Sequence, residues 1–255
     1  MALLAGTILG SLAWLSDDLG YPLGLLIPAN LVGVWGLVAF AAGAGARTIV
    51  GGAGRGLFAL IAAVAVYYLA YGLLGDGWRV AGAFRAATIW GAVAVVAGPA
   101  LGLAGSAWRH RTGWPRSLGI AVPAGLLVAE GLVLGAQVPN DPPAQALLAI
   151  EVVVGLALPA LLVQGARWRA IAYAGTAAVA GVGIVGLLIV LPALRAAADT
   201  FKLANGAIDA ARFVPICSKH PHRPRATVRR FCATHGPWRA QSLLPPGPPG
   251  HTPIR

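Results

Sequence analysis

Long apolar runs follow one another along the first three quarters of the chain, separated by short polar segments. The runs are continuous rather than alternating, a pattern that predicts helices and not the strands of a membrane barrel. A helix crosses about 30 Å of hydrocarbon with about 20 apolar residues. Seven runs approach or reach that length: roughly 2–16, 25–46, 56–75, 86–107, 117–138, 145–165 and 170–193. The pattern predicts an all-α, polytopic transmembrane helix bundle of about seven spans, or six if the first or last run does not span.

Pairs of glycines four residues apart recur within these runs. Such small-xxx-small spacings let helix backbones approach closely where lipid supplies no hydrophobic drive. The spacing therefore predicts a tightly packed bundle. The pairs are Gly6/Gly10, Gly52/Gly56, Gly98/Gly102 and Gly131/Gly135.

The composition supports a membrane location. The 255 residues are 58% hydrophobic and 11% charged, against about 45–50% and about 25% in an average soluble domain. A protein of this length and composition has too few polar side chains to cover the surface of a soluble fold. The composition therefore argues against a soluble enzyme. The sequence has no Gly-x-Ser-x-Gly elbow and no His-Glu-x-x-His helix, two common signatures of catalytic sites. We therefore predict a non-enzymatic protein without a cofactor.

Arginines in the short loops predict the orientation of the bundle. The loops after the second, fourth and sixth runs hold seven Arg, whereas the loops on the other side hold two. Because short cytoplasmic loops are enriched in Lys and Arg, we expect a multi-pass protein of the inner (plasma) membrane with a cytoplasmic N-terminus. An odd number of spans then places the C-terminal tail outside. The expected partner of the bundle is the lipid bilayer.

Two carboxyl side chains lie inside the predicted spans, Glu130 in the fifth and Glu151 in the sixth. The two spans form an antiparallel hairpin, and at a rise of about 1.5 Å per residue both carboxyls lie about 9–12 Å below the same boundary. A carboxylate at membrane depth costs roughly 2.5–3.5 kcal/mol on insertion scales. Neighbouring carboxylates repel each other, and a shared proton or a bound cation would relieve that repulsion. The pair is a candidate ion- or solute-binding site; the alternative is two buried side chains that are protonated or hydrogen-bonded locally.

Asn30, close to Pro28 in the second run, is a third candidate. A proline in a membrane helix frees a backbone carbonyl that an asparagine could satisfy, so a local kink or helix-start function is the alternative. Together the three residues predict transport or binding of a small molecule or cation. The competing hypothesis is a non-enzymatic membrane-structural, assembly or sensor protein that acts as a homo-oligomer or with a membrane partner.

The hydropathy falls sharply near residue 195, which divides the chain into a bundle, 1–194, and a tail, 195–255. Ten of the 19 Lys and Arg residues, but two of the eight acids, lie in the tail. A segment dominated by Pro and Arg cannot bury enough apolar surface to offset its ordering entropy. We predict a disordered, basic C-terminal tail. The same composition also fits a GC-rich gene read out of frame.

Two metal-type pairs lie in this tail, Cys217-x-x-His220 and Cys232-x-x-His235. Zinc takes four nitrogen or sulfur ligands, and short paired spacings can supply them. The two thiols could instead form a disulfide outside the cell. An extracytoplasmic tail also argues against nucleic acid as a partner, despite the net charge of +11.

Short motifs in the first third of the chain resemble a known family. They are Ala29-Asn30, Trp35, Val38-Ala39-Phe40-Ala41-Ala42-Gly43-Ala44, Arg47 and Tyr67-Tyr68. They resemble a family of small multi-span membrane proteins of unknown function, found mainly in actinobacteria. The likeness extends over residues 3–75 by motif and to about residue 194 by general layout. The resemblance implies a membrane location and no particular activity.

Overall fold

The computed structural model of the protein describes residues 1–20, 28–74 and 80–189. Within these ranges the chain forms seven α-helices and one short 3-10 turn, with no strand. The elements in chain order are α1 Ala2–Leu19, the 3-10 turn Pro28–Asn30, α2 Val32–Ala44, α3 Ile49–Leu74, α4 Val80–His110, α5 Trp114–Gly135, α6 Pro142–Leu162 and α7 Ala166–Ile189. The predicted all-α bundle is confirmed.

Six of the helices are long and apolar enough to cross a membrane, and α2 is the exception. Its 13 residues extend only about 20 Å at the helical rise. The prediction of one continuous helix over 25–46 is therefore wrong. The chain is interrupted at Leu31, which has extended backbone with φ −76° and ψ 131°. Pro28 begins the preceding 3-10 turn, and a proline can neither donate a backbone hydrogen bond nor sit comfortably inside a helix.

The glycine pairs bring helix backbones together, as their spacing predicted. A Cβ added to Gly102 of α4 would overlap the Gly52 carbonyl oxygen of α3, and one added to Gly56 would overlap the Gly98 carbonyl oxygen. Gly6 and Gly10 place α1 against the backbone of α3 in the same way. In the fourth pair only Gly131 makes a close contact, because a Cβ on Gly135 would meet nothing within 4 Å.

Helix α5 lies at the centre of the described bundle. In its apolar segment 67% of the residues are buried, against 28% or fewer in each of the other long helices. Ile120, Ala124 and Ala129 are among its fully buried residues. The other long helices expose large apolar side chains, the expected condition of surfaces that face lipid. Side chains on α5 consequently lie deep in the protein, and Glu130 is one of them.

Candidate functional site

Glu130 binds the beginning of α2 from a neighbouring helix. Its side chain is 2% exposed. The Val32 amide donates to Glu130 Oε1 over 2.7 Å, and the Gly33 amide donates to Glu130 Oε2. The first amides of a helix have no partner within the helix, and the N-cap residue, Leu31, offers no side-chain cap. A carboxylate also complements the positive end of the helix dipole. Glu130 therefore supplies the cap that α2 lacks in its own sequence.

Glu151 of α6 lies directly beside this cap. Its side chain is 5% exposed. A Cβ added to Gly33 would overlap Glu151 Oε1 and would lie 3.2 Å from Glu130 Oε2, so the two carboxyls meet over the Gly33 backbone. Within the described residues, neither Glu151 oxygen receives a hydrogen bond from an N–H or O–H group. The Glu130 carboxyl is near enough for a hydrogen bond once one of the two groups carries a proton.

The α5–α6 hairpin holds the two glutamates at the same depth. Asp141 caps α6, since its Oδ1 accepts from the Ala144 amide over 3.2 Å, and a proline follows at the first helical position, where its missing N–H costs nothing. Gly131, next to Glu130, lets α6 approach closely: its Cβ would lie 2.7 Å from the Leu148 carbonyl oxygen. Residue counting predicted only that Glu130 and Glu151 lie at similar depth, and the structure also brings the two side chains together over Gly33.

Asn30 lies in a neighbouring cluster and not on the carboxyl pair. Its side-chain amide donates to Asp17 Oδ1 over 2.5 Å, and the Tyr67 hydroxyl donates to the other Asp17 oxygen. The carbonyl oxygen of Ala29 is taken by the Trp35 indole N–H. The Asn30 side chain therefore ties the 3-10 turn to α1; the carbonyl that Pro28 would free, at residue 24, lies outside the described residues. The cluster fixes the break before α2 from one side, while Glu130 fixes it from the other.

Sequence reasoning missed the backbone half of the site. The donors to Glu130 are the backbone amides of Val32 and Gly33. A side-chain motif cannot reveal backbone donors. One usable signal was a glycine just after the Pro28–Asn30 segment, where a backbone can approach another group closely. A second was the group Tyr67, Tyr68 and Tyr71 on α3, whose rings pack together. Tyr67 of this group also packs edge-on against Trp35, with ring centroids 6.4 Å apart.

The tail candidates Cys217, His220, Cys232 and His235 lie outside the described residues, as does the predicted disorder of residues 195–255. Among the residues that the structure does describe, no group of three or more His, Cys, Asp or Glu side chains could hold a metal ion. Within the described chain, the candidate functional site is the acidic pair together with the α2 amides.

Taken together, these features define a helical, membrane-embedded protein with two carboxyl groups buried at the start of an interrupted helix. The chain belongs to a family of unknown function, DUF6518, whose family model matches residues 1–194. This match supports the relationship to a family of unknown function that the motifs predicted. No curated protein and no solved structure matches the chain.

Proposed function

We propose that the protein binds a proton or a small cation at the Glu130–Glu151 pair, as part of a non-enzymatic small-solute or ion transport or binding function. The observation that carries the proposal is the state of Glu151. Both of its oxygens are buried without a hydrogen-bond donor from the described residues. Ionisable groups inside membrane helices are costly and mark ion or substrate paths more often than they serve stability.

The charge balance of the pair favours one bound positive charge. Glu130 as a carboxylate is compensated by two amides and by the positive end of α2. A second ionised carboxyl against it has no such compensation, and among the described residues no Lys, Arg or His side chain pairs with either glutamate. A proton shared between the carboxyls, or a cation bound by their oxygens, restores the balance.

The interruption before α2 supports a transport function. Discontinuous helices whose ends point into the protein are a recurrent feature of secondary transporters, where they build substrate and ion sites. Here the free end of α2 faces the two glutamates. The arginine-rich loops further favour a cytoplasmic N-terminus in the inner membrane, which would place the pair in the outer half of the bilayer.

Infrared spectroscopy of the purified protein tests the bound proton directly. We expect the band of a protonated carboxylic acid in the wild-type protein and its loss in Glu151→Gln. Asp18→Asn is the matched control, because it removes one carboxyl from an exposed position. If a cation replaces the proton, adding Na⁺, K⁺ or Mg²⁺ should abolish the band and raise the unfolding temperature. In a separate assay, proton or cation flux into vesicles that contain the protein should require Glu151. A wild-type protein with no such band, no response to these cations and no flux would refute the proposal.

A structural or assembly function is the second candidate, favoured by the cap that Glu130 provides. Under that hypothesis the pair only holds α2 in place, and α2 provides a surface for a membrane partner or a second copy of the chain. Glu130→Gln should then lower stability. Neither the wild-type protein nor Glu151→Gln should respond to cations. Recovery of a stable membrane partner without any ligand effect would favour this second function.

A further inference from the structure

A recess of about 610 Å³ lies at the other end of the helices, where α2 and α4 finish and α3 begins. One side of it is apolar and includes Phe40, Ala44 and Trp108. The rings of Phe40 and Trp108 pack against each other with centroids 5.6 Å apart. Arg47, Arg109 and His110 also line the recess. It therefore combines an apolar wall with basic side chains.

The loop that carries Arg47 is held by side chains from two other helices. His110 Nε2 lies 2.6 Å from the Ala46 carbonyl oxygen, and because a carbonyl only accepts, Nε2 carries the hydrogen. Arg55 donates to the Gly45 carbonyl oxygen, and the Ser106 hydroxyl donates to the Thr48 carbonyl oxygen over 3.3 Å. The recess is thus formed in advance of any ligand.

Three donors of the recess, on Arg47, Arg109 and Trp108, have no acceptor among the described residues. Arg47 and Arg109 are exposed, and the acids of the described chain belong to the opposite ends of the helices, at Asp17, Asp18, Glu130, Asp141 and Glu151. The Trp108 indole N–H is buried and has no hydrogen-bond partner within the described residues. A buried donor without an acceptor is costly and calls for an explanation such as an absent ligand. Two guanidinium groups and one N–H beside an apolar wall fit an anion that carries an apolar part.

We propose that this recess binds the phosphate of an anionic phospholipid headgroup, with the acyl chains along the apolar surface of the bundle. A lipid is favoured over a soluble phosphate because the recess lies at the ends of membrane-crossing helices. The exposed apolar side chains Val50 and Leu103 lie within two helical turns of Arg47 and Arg109, respectively. Basic pockets between membrane helices are suited to anionic headgroups. The inference does not depend on the Glu130–Glu151 pair.

Native mass spectrometry of the full-length protein in detergent, titrated with phosphatidylglycerol, tests the proposal. An Arg that contacts the anionic headgroup is worth about fivefold in affinity, so Arg47→Gln with Arg109→Gln should weaken the first bound lipid about 25-fold. The matched control is Arg111→Gln with Arg167→Gln, which removes the same charge from exposed positions at the same end. The control should bind within about twofold of wild type, a change smaller than one Arg contact. Phosphatidylcholine should bind more weakly than phosphatidylglycerol in the wild-type protein.

Equal losses in the two double variants would show that the lipid follows the overall charge, and this would overturn the proposal. Displacement of phosphatidylglycerol by inorganic phosphate at a matching concentration would also overturn it in favour of a soluble anion. If the Arg47/Arg109 variant loses its helical circular dichroism, Trp108→Phe decides, because it keeps a ring and removes only the N–H. We expect about a tenfold loss, as for one hydrogen bond to a charged group, and unchanged binding would overturn the proposal.

Discussion

Gly33 is the position at which α2 meets both glutamates, and its replacement by alanine tests that geometry. The new Cβ would overlap Glu151 Oε1, lie 2.6 Å from Leu127 Cδ2 and lie 3.2 Å from Glu130 Oε2. The backbone cannot withdraw from these atoms without lengthening the hydrogen bond from the Gly33 amide to Glu130. We therefore expect Gly33→Ala to destabilise the protein.

The size of the effect follows from three contributions. Overpacking a filled interior costs about 1–3 kcal/mol. Loss of a hydrogen bond to a charged group costs about 1.5–3 kcal/mol, and only part of it is lost if α2 shifts slightly. The higher helix propensity of alanine returns up to about 1 kcal/mol. The expected net decrease in the free energy of unfolding is about 2–4 kcal/mol.

The assay is unfolding of the purified protein in mixed micelles by titration with SDS, followed by helical circular dichroism. Gly54→Ala in α3 is the matched control, since a Cβ there meets nothing within 4 Å. The control should be stabilised by up to about 1 kcal/mol, because alanine is the better helix former. A stable Gly33→Ala protein that behaves like the control would refute the placement of the carboxyls against α2.

A double-mutant cycle makes the test specific to Glu151. In a Glu151→Ala background the overlap with Oε1 disappears, so Gly33→Ala should cost less than it does in the wild-type protein. We expect a coupling of about 1 kcal/mol or more, within the usual range for residues in contact. Additive effects of the two substitutions would contradict the contact, whatever the size of each single effect.

Three other contacts can be tested in the same unfolding assay. Tyr67→Phe removes the hydroxyl that Asp17 accepts from and should cost about 1–2 kcal/mol; unchanged stability would argue against that hydrogen bond. Gly102→Ala forces α3 and α4 apart and should cost about 3 kcal/mol or more, whereas Gly91→Ala in the same helix, with open space around it, should not destabilise. Glu151→Gln should leave stability within about 0.5 kcal/mol or raise it, because its amide can donate to the neighbouring carboxyl and no like charge remains; a large loss would indicate that the ionised carboxylate is needed for folding.

The bundle and the carboxyl pair could be predicted from the sequence because each follows from a regular repeat. Apolar runs of membrane length favour helices, because a helix pairs its backbone polar groups internally. The depth of Glu130 and Glu151 could be counted because both lie on one hairpin and every helical residue advances by the same rise. Counting did not fix the direction in which each side chain projects from its helix, and so it did not fix whether the two carboxyls are in contact. The close approach at Gly131 supplies it.

Hydropathy is continuous across the break before α2, so the sequence offered that break only as an alternative, from Pro28 and Asn30. Residues 28–44 are apolar except for Asn30, and a continuous helix satisfies the same pattern. The interruption depends on partners far away in the chain: Glu130 is 98 residues from Val32, and Tyr67 is 50 residues from Asp17. Such contacts arise only when the helices have packed, and they supply the hydrogen bonds that a broken helix loses.

Helix α2 lies between the Glu130–Glu151 pair at its N-terminus and the basic recess at its C-terminus. Its first amides are bound by the Glu130 carboxyl, and the carbonyls just beyond its last turn, at Gly45 and Ala46, accept from Arg55 and His110. An acid at the N-terminus and basic side chains at the C-terminus both complement the helix dipole. A helix too short to cross the membrane is thus held at each end by side chains of other helices. Since a proton or cation on the carboxyl pair would weaken the hold at the N-terminus, α2 is the element whose position we expect to respond when that site is occupied.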